Sequence, residues 1–315
     1  MMKQSAREAY GQTLVELGRQ DPNMVVLDAD LSKSTMTCLF AREFPDRFFD
    51  CGIAEQNMMG IAAGLAACGK TVFASTFAVF APGRCFDQIR MSIAQPGLNV
   101  KIVTTHGGIT VGEDGLSHHA IEDLALACSF PRFRVIVPAD AAEAAQAVRV
   151  AAGTPGPFYI RLSRPKTPVV YDADYSFKLG RAATLRDGKD ATIIAAGVMV
   201  AIALDAAQNL GRDGLDCRVL SMSTLKPLDE DAVLKAARET GAIVAAEEHL
   251  RWGALGSAIA QVVAEKRPVP MAFIAIEDTY SCSGKPEELL QERGLTAGNI
   301  ESAVRSLIVR KTAPN

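Results

Sequence analysis

Short apolar runs rich in β-branched residues alternate along the chain with longer stretches of helical spacing. The runs at 24–30 (MVVLDAD), 71–75 (TVFAS), 100–105 (VKIVTT) and 133–140 (FRVIVPAD) read as buried strands, each followed by a turn. Between them, 54–69 and 86–95 read as helices. The first of these carries Ala62, Ala63, Gly64, Ala66 and Ala67, small enough to let a helix approach a sheet closely. An order of β-α-β-α predicts a parallel sheet covered on both faces.

The pattern breaks after 157–176, where three prolines and a polar run mark a surface linker. A second α/β segment opens with the strand-like run 191–197. It continues as helix 198–210, strand 217–223, helix 229–240, strand 242–248, helix 253–265, strand 271–277 and a C-terminal helix. The expected fold is α/β with two domains, each a mainly parallel sheet flanked by helices. The expected boundaries are 1–172 for the first domain, 173–188 for the linker and 189–315 for the second domain.

Composition changes this picture little. With 49% hydrophobic and 22% charged residues, 315 residues can bury a large core. A net charge of −3 and a pI near 5.9 give nucleic acid or an anionic membrane no general attraction, so any phosphate site must be a local cluster. The seven cysteines are scattered, form no CxxC pair and are odd in number, which points to reduced thiols. The first residues have an amphipathic helical pattern without the apolar centre of a signal peptide, and no apolar run reaches the roughly 18 residues of a membrane span. A cytoplasmic protein is expected.

Candidate chemistry clusters in the first domain. Glu55, in DCGIAEQNMMGIAAG (50–64), stands at a helix start inside an apolar stretch; alone it would be read as a dipole-complementing acid. Phe77 and Phe80 follow at the end of a strand. The run 104–127 then gathers three of the four histidines (His106, His118, His119) with Glu113 and Asp114 in a glycine-rich loop after a strand. In a parallel α/β fold such loops form the ligand crevice. Their spacing fits no zinc pattern and no cysteine joins them, so no metal site is expected in this chain.

Taken in order, GIAEQN, STFAVF…FDQIRM, THGG…GEDG…HH, VIVPAD and FYIRLSRP resemble the C-terminal half of transketolase, over essentially the whole chain. The resemblance implies a pyrimidine-binding domain for thiamine diphosphate followed by a transketolase C-terminal domain. It implies that Glu55 touches N1′ of the cofactor's aminopyrimidine and shares a proton with it, burial raising the carboxyl's proton affinity. Phe80 would stack on the pyrimidine, with Phe77 beside it. His118 would polarise the substrate and move protons, and Asp114 would bond a sugar hydroxyl near the reacting carbon. Ser34, His106 and Arg164 would grip the sugar phosphate. Arg161 is expected to be structural or salt-bridged, His119 and Glu113 to support the site from behind, and His249 to be structural.

The chain departs from the family at two places: the stretch 81–83 holds one residue more than expected, and Leu116 replaces a proline. It also contains no GDG and no NN pair, the motif that holds the diphosphate through a divalent metal. The resemblance therefore implies an N-terminal partner subunit that binds Mg2+ or Ca2+. The expected assembly is α2β2, with two copies of this chain at its centre. The implied reaction moves a two-carbon ketol unit between phosphorylated sugars. Two other readings stay open: half of a deoxyxylulose-phosphate synthase or the β subunit of a 2-oxo acid dehydrogenase, and a non-catalytic α/β scaffold. The phosphate-gripping set speaks against the first, and Glu55, His118 and Asp114 together speak against the second.

Overall fold

The computed structural model describes residues 2–172 and 174–312. Its strands, in chain order, are β1 (Lys3–Gln4), β2 (Met24–Asp28), β3 (Phe48–Asp50), β4 (Thr71–Phe77), β5 (Val100–Thr105), β6 (Arg134–Ile136), β7 (Phe158–Arg161), β8 (Thr167–Pro168), β9 (Ala183–Arg186), β10 (Ala191–Ala195), β11 (Cys217–Ser221), β12 (Thr224–Lys226), β13 (Ile243–Leu250) and β14 (Met271–Ile276). The first large sheet has the order β12-β6-β7-β5-β4-β2-β3, and the second β14-β13-β10-β11-β9; β1 and β8 form a small separate pair. Every pairing within the two large sheets is parallel except β12 on β6 and β9 on β11. The expected architecture of two mainly parallel α/β domains is what the chain adopts.

The central strands are apolar without alternation because both faces are covered. All residues of β2, β5, β10 and β11 are buried. Along β2, Val25 and Leu27 face a core shared with helix Glu55–Ala67, while Met24 and Val26 face a second core under helices Ala6–Gln20 and Ala141–Gly153. Helix Glu55–Ala67 buries Met58, Met59, Ala62, Ala63 and Ala66, but Gly64 and Ala67 point outward. Three of its five small residues therefore permit the close approach.

Two features were not visible in the pattern. β12 comes from the second half of the chain yet pairs with β6 at the edge of the first sheet. β9 lies within the segment expected as linker and pairs with β11. One apolar cluster runs without a break from Val25 and Val72 in the first half to Val233 and Ile259 in the second. The stretch expected as one helix over 86–95 divides into an α turn, Phe86–Gln88, and a π-helical segment, Ile89–Ala94.

Candidate functional site

The parallel strands deliver the candidate residues to one edge of the first sheet. Ser34 follows the C-terminal end of β2, Glu55 that of β3, Phe77 and Phe80 that of β4, His106 that of β5, and Arg164 that of β7. This is the edge at which open parallel sheets bind ligands.

At one end of the cleft lie the carboxylate and the aromatics. Glu55 opens its helix, with Ala54 as an N-cap that offers no side-chain bond, and it is only 3% exposed. It is not isolated there: Arg84 Nη1 donates to Oε1 at 2.8 Å. The same guanidinium sits over the Phe80 ring, 4.3 Å from its centroid. Phe77 and Phe80 stack at 5.9 Å with 15° between their planes, and Phe77 stacks on His106 at 3.8 Å. His118 meets Phe80 edge-on at 5.5 Å, and its Nδ1 pairs with Ser117 Oγ at 3.0 Å. A line of rings thus runs from Phe80 to the histidines, and Arg84 ties Glu55 to its near end.

At the other end lie the cations. Arg7, in the first turn of helix Ala6–Gln20, donates from Nη1 to the Ser34 carbonyl at 2.6 Å. Its Nε is buried without a partner. Burial, then repulsion from Arg164, holds the Arg7 guanidinium below its ordinary value. Burial pushes His106 down to about 3, assisted by Arg7, Arg164 and His118. At neutral pH His106 is therefore uncharged, its Nδ1 paired with Thr105 Oγ1 at 2.8 Å, and positive charge at this end resides on the two arginines. A cationic end with an unspent buried N–H donor suits an anionic group such as a phosphate.

The loop between the two ends is glycine-rich because its backbone demands it. His106, Gly108, Gly112 and Gly115 all have positive φ. Residues Ile109–Asp114 form a kinked 3-10 turn. Asp114 is exposed and makes no direct bond to the other candidates; its charge acts on His119. His119 is buried, with Nε2 on the Gly112 carbonyl at 3.0 Å and Nδ1 without a partner. Glu113 is exposed and lies 3.4 Å from Arg164, which also donates to the Val111 carbonyl.

Behind the loop runs a buried polar network. Arg161 Nη1 donates to Asp123 Oδ1 at 3.0 Å, Nη2 donates to the Glu248 carbonyl at 2.8 Å, and Tyr159 donates to Asp123 Oδ2 at 2.7 Å. Arg161 is thus the buried structural arginine it was expected to be. His249, fully buried, accepts from the Ala125 N–H through Nε2 and donates from Nδ1 to the Leu250 carbonyl.

The structure therefore gathers Phe77, Phe80, His106 and His118 in ring contacts, reaches Glu55 from Phe80 through Arg84, and sets Arg7, bonded to the Ser34 carbonyl, near enough to Arg164 for the two to repel. Sequence reasoning missed Arg7, Arg84 and Glu248. Arg7 stands 27 residues before Ser34, and no local pattern ties the two together. Arg84 was in view as the end of the lengthened stretch after Phe80, but its reach back to Glu55 spans 29 residues. Among the described residues, no group of three or more His, Cys, Asp or Glu is placed to hold a metal ion, and no helix is long and apolar enough to cross a membrane.

Comparison with known proteins agrees along the whole length. Residues 2–169 match the family model "Transketolase, pyrimidine binding domain" and residues 180–300 match "Transketolase, C-terminal domain". A transketolase C-terminal section from Methanocaldococcus jannaschii is 45% identical over 301 residues, covering 95% of this chain and 94% of that protein. Human transketolase is 40% identical over 312 residues, 98% of this chain but 50% of that protein, so the chain spans about half the length of such full-length relatives. A solved structure described as a split-gene transketolase, an inactive β4 tetramer, superposes with a TM-score of 0.91 at 51% identity, covering 98% of this chain and 99% of that one.

Proposed function

Because this chain belongs to the transketolase family, we propose that it is the C-terminal subunit of a two-chain transketolase, moving a two-carbon ketol unit from a ketose phosphate to an aldose phosphate. One observation carries the reading: a buried carboxylate, Glu55, bonded by the Arg84 guanidinium that lies over the Phe80 ring, on the same sheet edge as Arg164 and as Ser34 with its partner Arg7. The residues fit thiamine diphosphate. The Arg84 guanidinium, a flat group with N–H donors, already stacks on Phe80 and bonds Glu55 as an aminopyrimidine would. When bound, the cofactor supplies the carbon nucleophile and electron sink for ketol transfer.

The chain's own groups supply the rest. Glu55 holds a proton at the pyrimidine nitrogen. Phe80, backed by Phe77, fixes the ring plane. His118, at the edge of Phe80, reaches the substrate carbonyl and moves its proton. Asp114 takes a sugar hydroxyl, while Ser34, His106 and Arg164, joined by Arg7, hold the phosphate. A flexible sugar gripped at both ends is brought near its reacting geometry before any bond changes.

The pyrimidine-binding part is assigned to 1–172 and the C-terminal part to 189–315, joined by 173–188. The diphosphate and its Mg2+ or Ca2+ fall to an N-terminal partner subunit in an α2β2 assembly that includes a self-dimer of this chain. The lack of a diphosphate motif here supports this, as does the description of the 51% identical relative as a split-gene transketolase in an inactive β4 tetramer. Seven free thiols suit a cytoplasmic enzyme. The test is copurification with the N-terminal subunit, followed by assay with thiamine diphosphate and magnesium. The complex should turn over a ketose phosphate and not pyruvate. Turnover by this chain alone would sink the two-chain reading, and pyruvate decarboxylation would replace the substrate assignment.

A further inference from the structure

The turn that carries the substrate-facing groups is held from both sides by different halves of the chain. From its own side, Gly107 N donates to the Leu162 carbonyl and Gly108 N to the Ala120 carbonyl. From the other side, Glu248 at the end of β13 accepts the Thr110 N–H on Oε1 at 2.6 Å, and Oε2 lies 3.9 Å from Arg161. Ser283 Oγ donates to the Glu113 carbonyl, and Leu250 N donates to the Ile121 carbonyl. The approach leaves no slack. A Cβ on Gly107 would strike the Arg161 side chain, and one on Gly108 would strike the Glu248 carboxyl. His106, immediately before this glycine pair, is itself held at φ 60°, a conformation that only surrounding structure can impose on it.

We infer that Glu248, contributed by the second domain, is a positioning residue for ketol transfer: it fixes the turn 106–115 so that His106 and the phosphate-holding end stand where the substrate needs them. The C-terminal domain then takes part in the reaction through this contact as well as through assembly. This rests on the function proposed above. Neither Glu55 nor Phe80 touches Glu248, so cofactor binding is a built-in control.

The test uses the full chain with its partner, carrying Glu248→Ala or Glu248→Gln. Glutamine keeps an oxygen for the Thr110 N–H; alanine does not. In the alanine variant KM for a phosphorylated ketose should rise about tenfold, against a smaller change for an unphosphorylated ketose and no change in cofactor affinity. Glutamine should restore most of the loss. In the full chain alone, amide exchange over 107–115 should speed up about tenfold in Glu248→Ala and little in Glu248→Gln. Unchanged exchange in Glu248→Ala overturns the proposal, and so does a uniform loss in both variants that includes cofactor affinity. If the wild-type complex transfers no ketol unit, the function reading falls, while the exchange experiment still decides the role of Glu248.

At the opposite end of the cleft, Arg84 makes both contacts assigned to the aminopyrimidine, and its side chain is 45% exposed, free to swing away without disturbing the core. From this separate observation we propose that Arg84 is a stand-in ligand, which closes the pocket of the free chain and must leave as the cofactor loads. Calorimetric titration of thiamine diphosphate into the magnesium-loaded complex decides it. Arg84→Ala should bind about fivefold more tightly, the reciprocal of a half-exposed ion pair plus a cation–π contact worth about 1 kcal/mol together. Weaker or equal binding in the variant overturns the proposal. Binding in neither protein overturns it together with the pocket assignment.

Discussion

Glu55 sits in the first turn of its helix, where the free N–H groups favour an anion, and is nevertheless buried, with Arg84 as its partner. Glu55→Gln keeps the shape and removes the exchangeable proton. Ketol transfer by the complex should fall about 10²- to 10⁴-fold, the range of a positioned acid–base group, with the chain still folded by circular dichroism. His106 gives a second prediction at this scale. It is held down to about 3, so the fold keeps it neutral while the unfolded chain takes up a proton below about pH 6.5. Stability from this group is complete above pH 6.5 and is lost as pH falls towards 3. At pH 5 the loss is about 2 kcal/mol. Asp28, pushed up to about 6 by burial, has the opposite sign and gains stability as pH falls through 6. Comparison of His106→Asn with wild type isolates the histidine, since asparagine tolerates the positive φ. Between pH 7 and pH 5 the variant should lose about 2 kcal/mol less in urea denaturation.

At the scale of elements, the turn 106–115 shows how a loop becomes rigid. Its glycines supply backbone angles that side chains resist, and their missing Cβ atoms admit Arg161 and Glu248 from behind. Gly108→Ala combines a positive φ with a collision against a buried carboxyl. Thermal denaturation should show a loss of about 2 kcal/mol, and KM for a phosphorylated ketose should rise. At Gly64, where nothing lies within 4 Å, Gly64→Ala inside a helix should instead be neutral or stabilising, by at most about 1 kcal/mol.

At the scale of the molecule, the two domains are not independent beads. β12 completes the first sheet from the second half of the chain, and one apolar cluster crosses between the halves. The Arg161–Glu248 and Thr110–Glu248 hydrogen bonds are buried across the same boundary. Scanning calorimetry of the whole chain should therefore give one cooperative transition. A fragment ending at residue 188 should aggregate or remain without a fixed fold, since it leaves the β6 edge unpaired. Two resolved transitions, or a well-folded fragment, would contradict this.

The periodicity of apolar runs was enough to place the central strands and most helices, because a strand covered on both faces must be apolar without a break. The motif order, through its resemblance to transketolase, was enough to bring Glu55, Phe77, Phe80, His106 and His118 under suspicion. The partners of those residues were decided only by the tertiary structure. Arg7 on Ser34, Arg84 on Glu55 and Glu248 on Thr110 are separated by 27, 29 and 138 residues. No local spacing encodes such meetings; they arise when strands distant in sequence are laid side by side and their loops are pressed into one cleft.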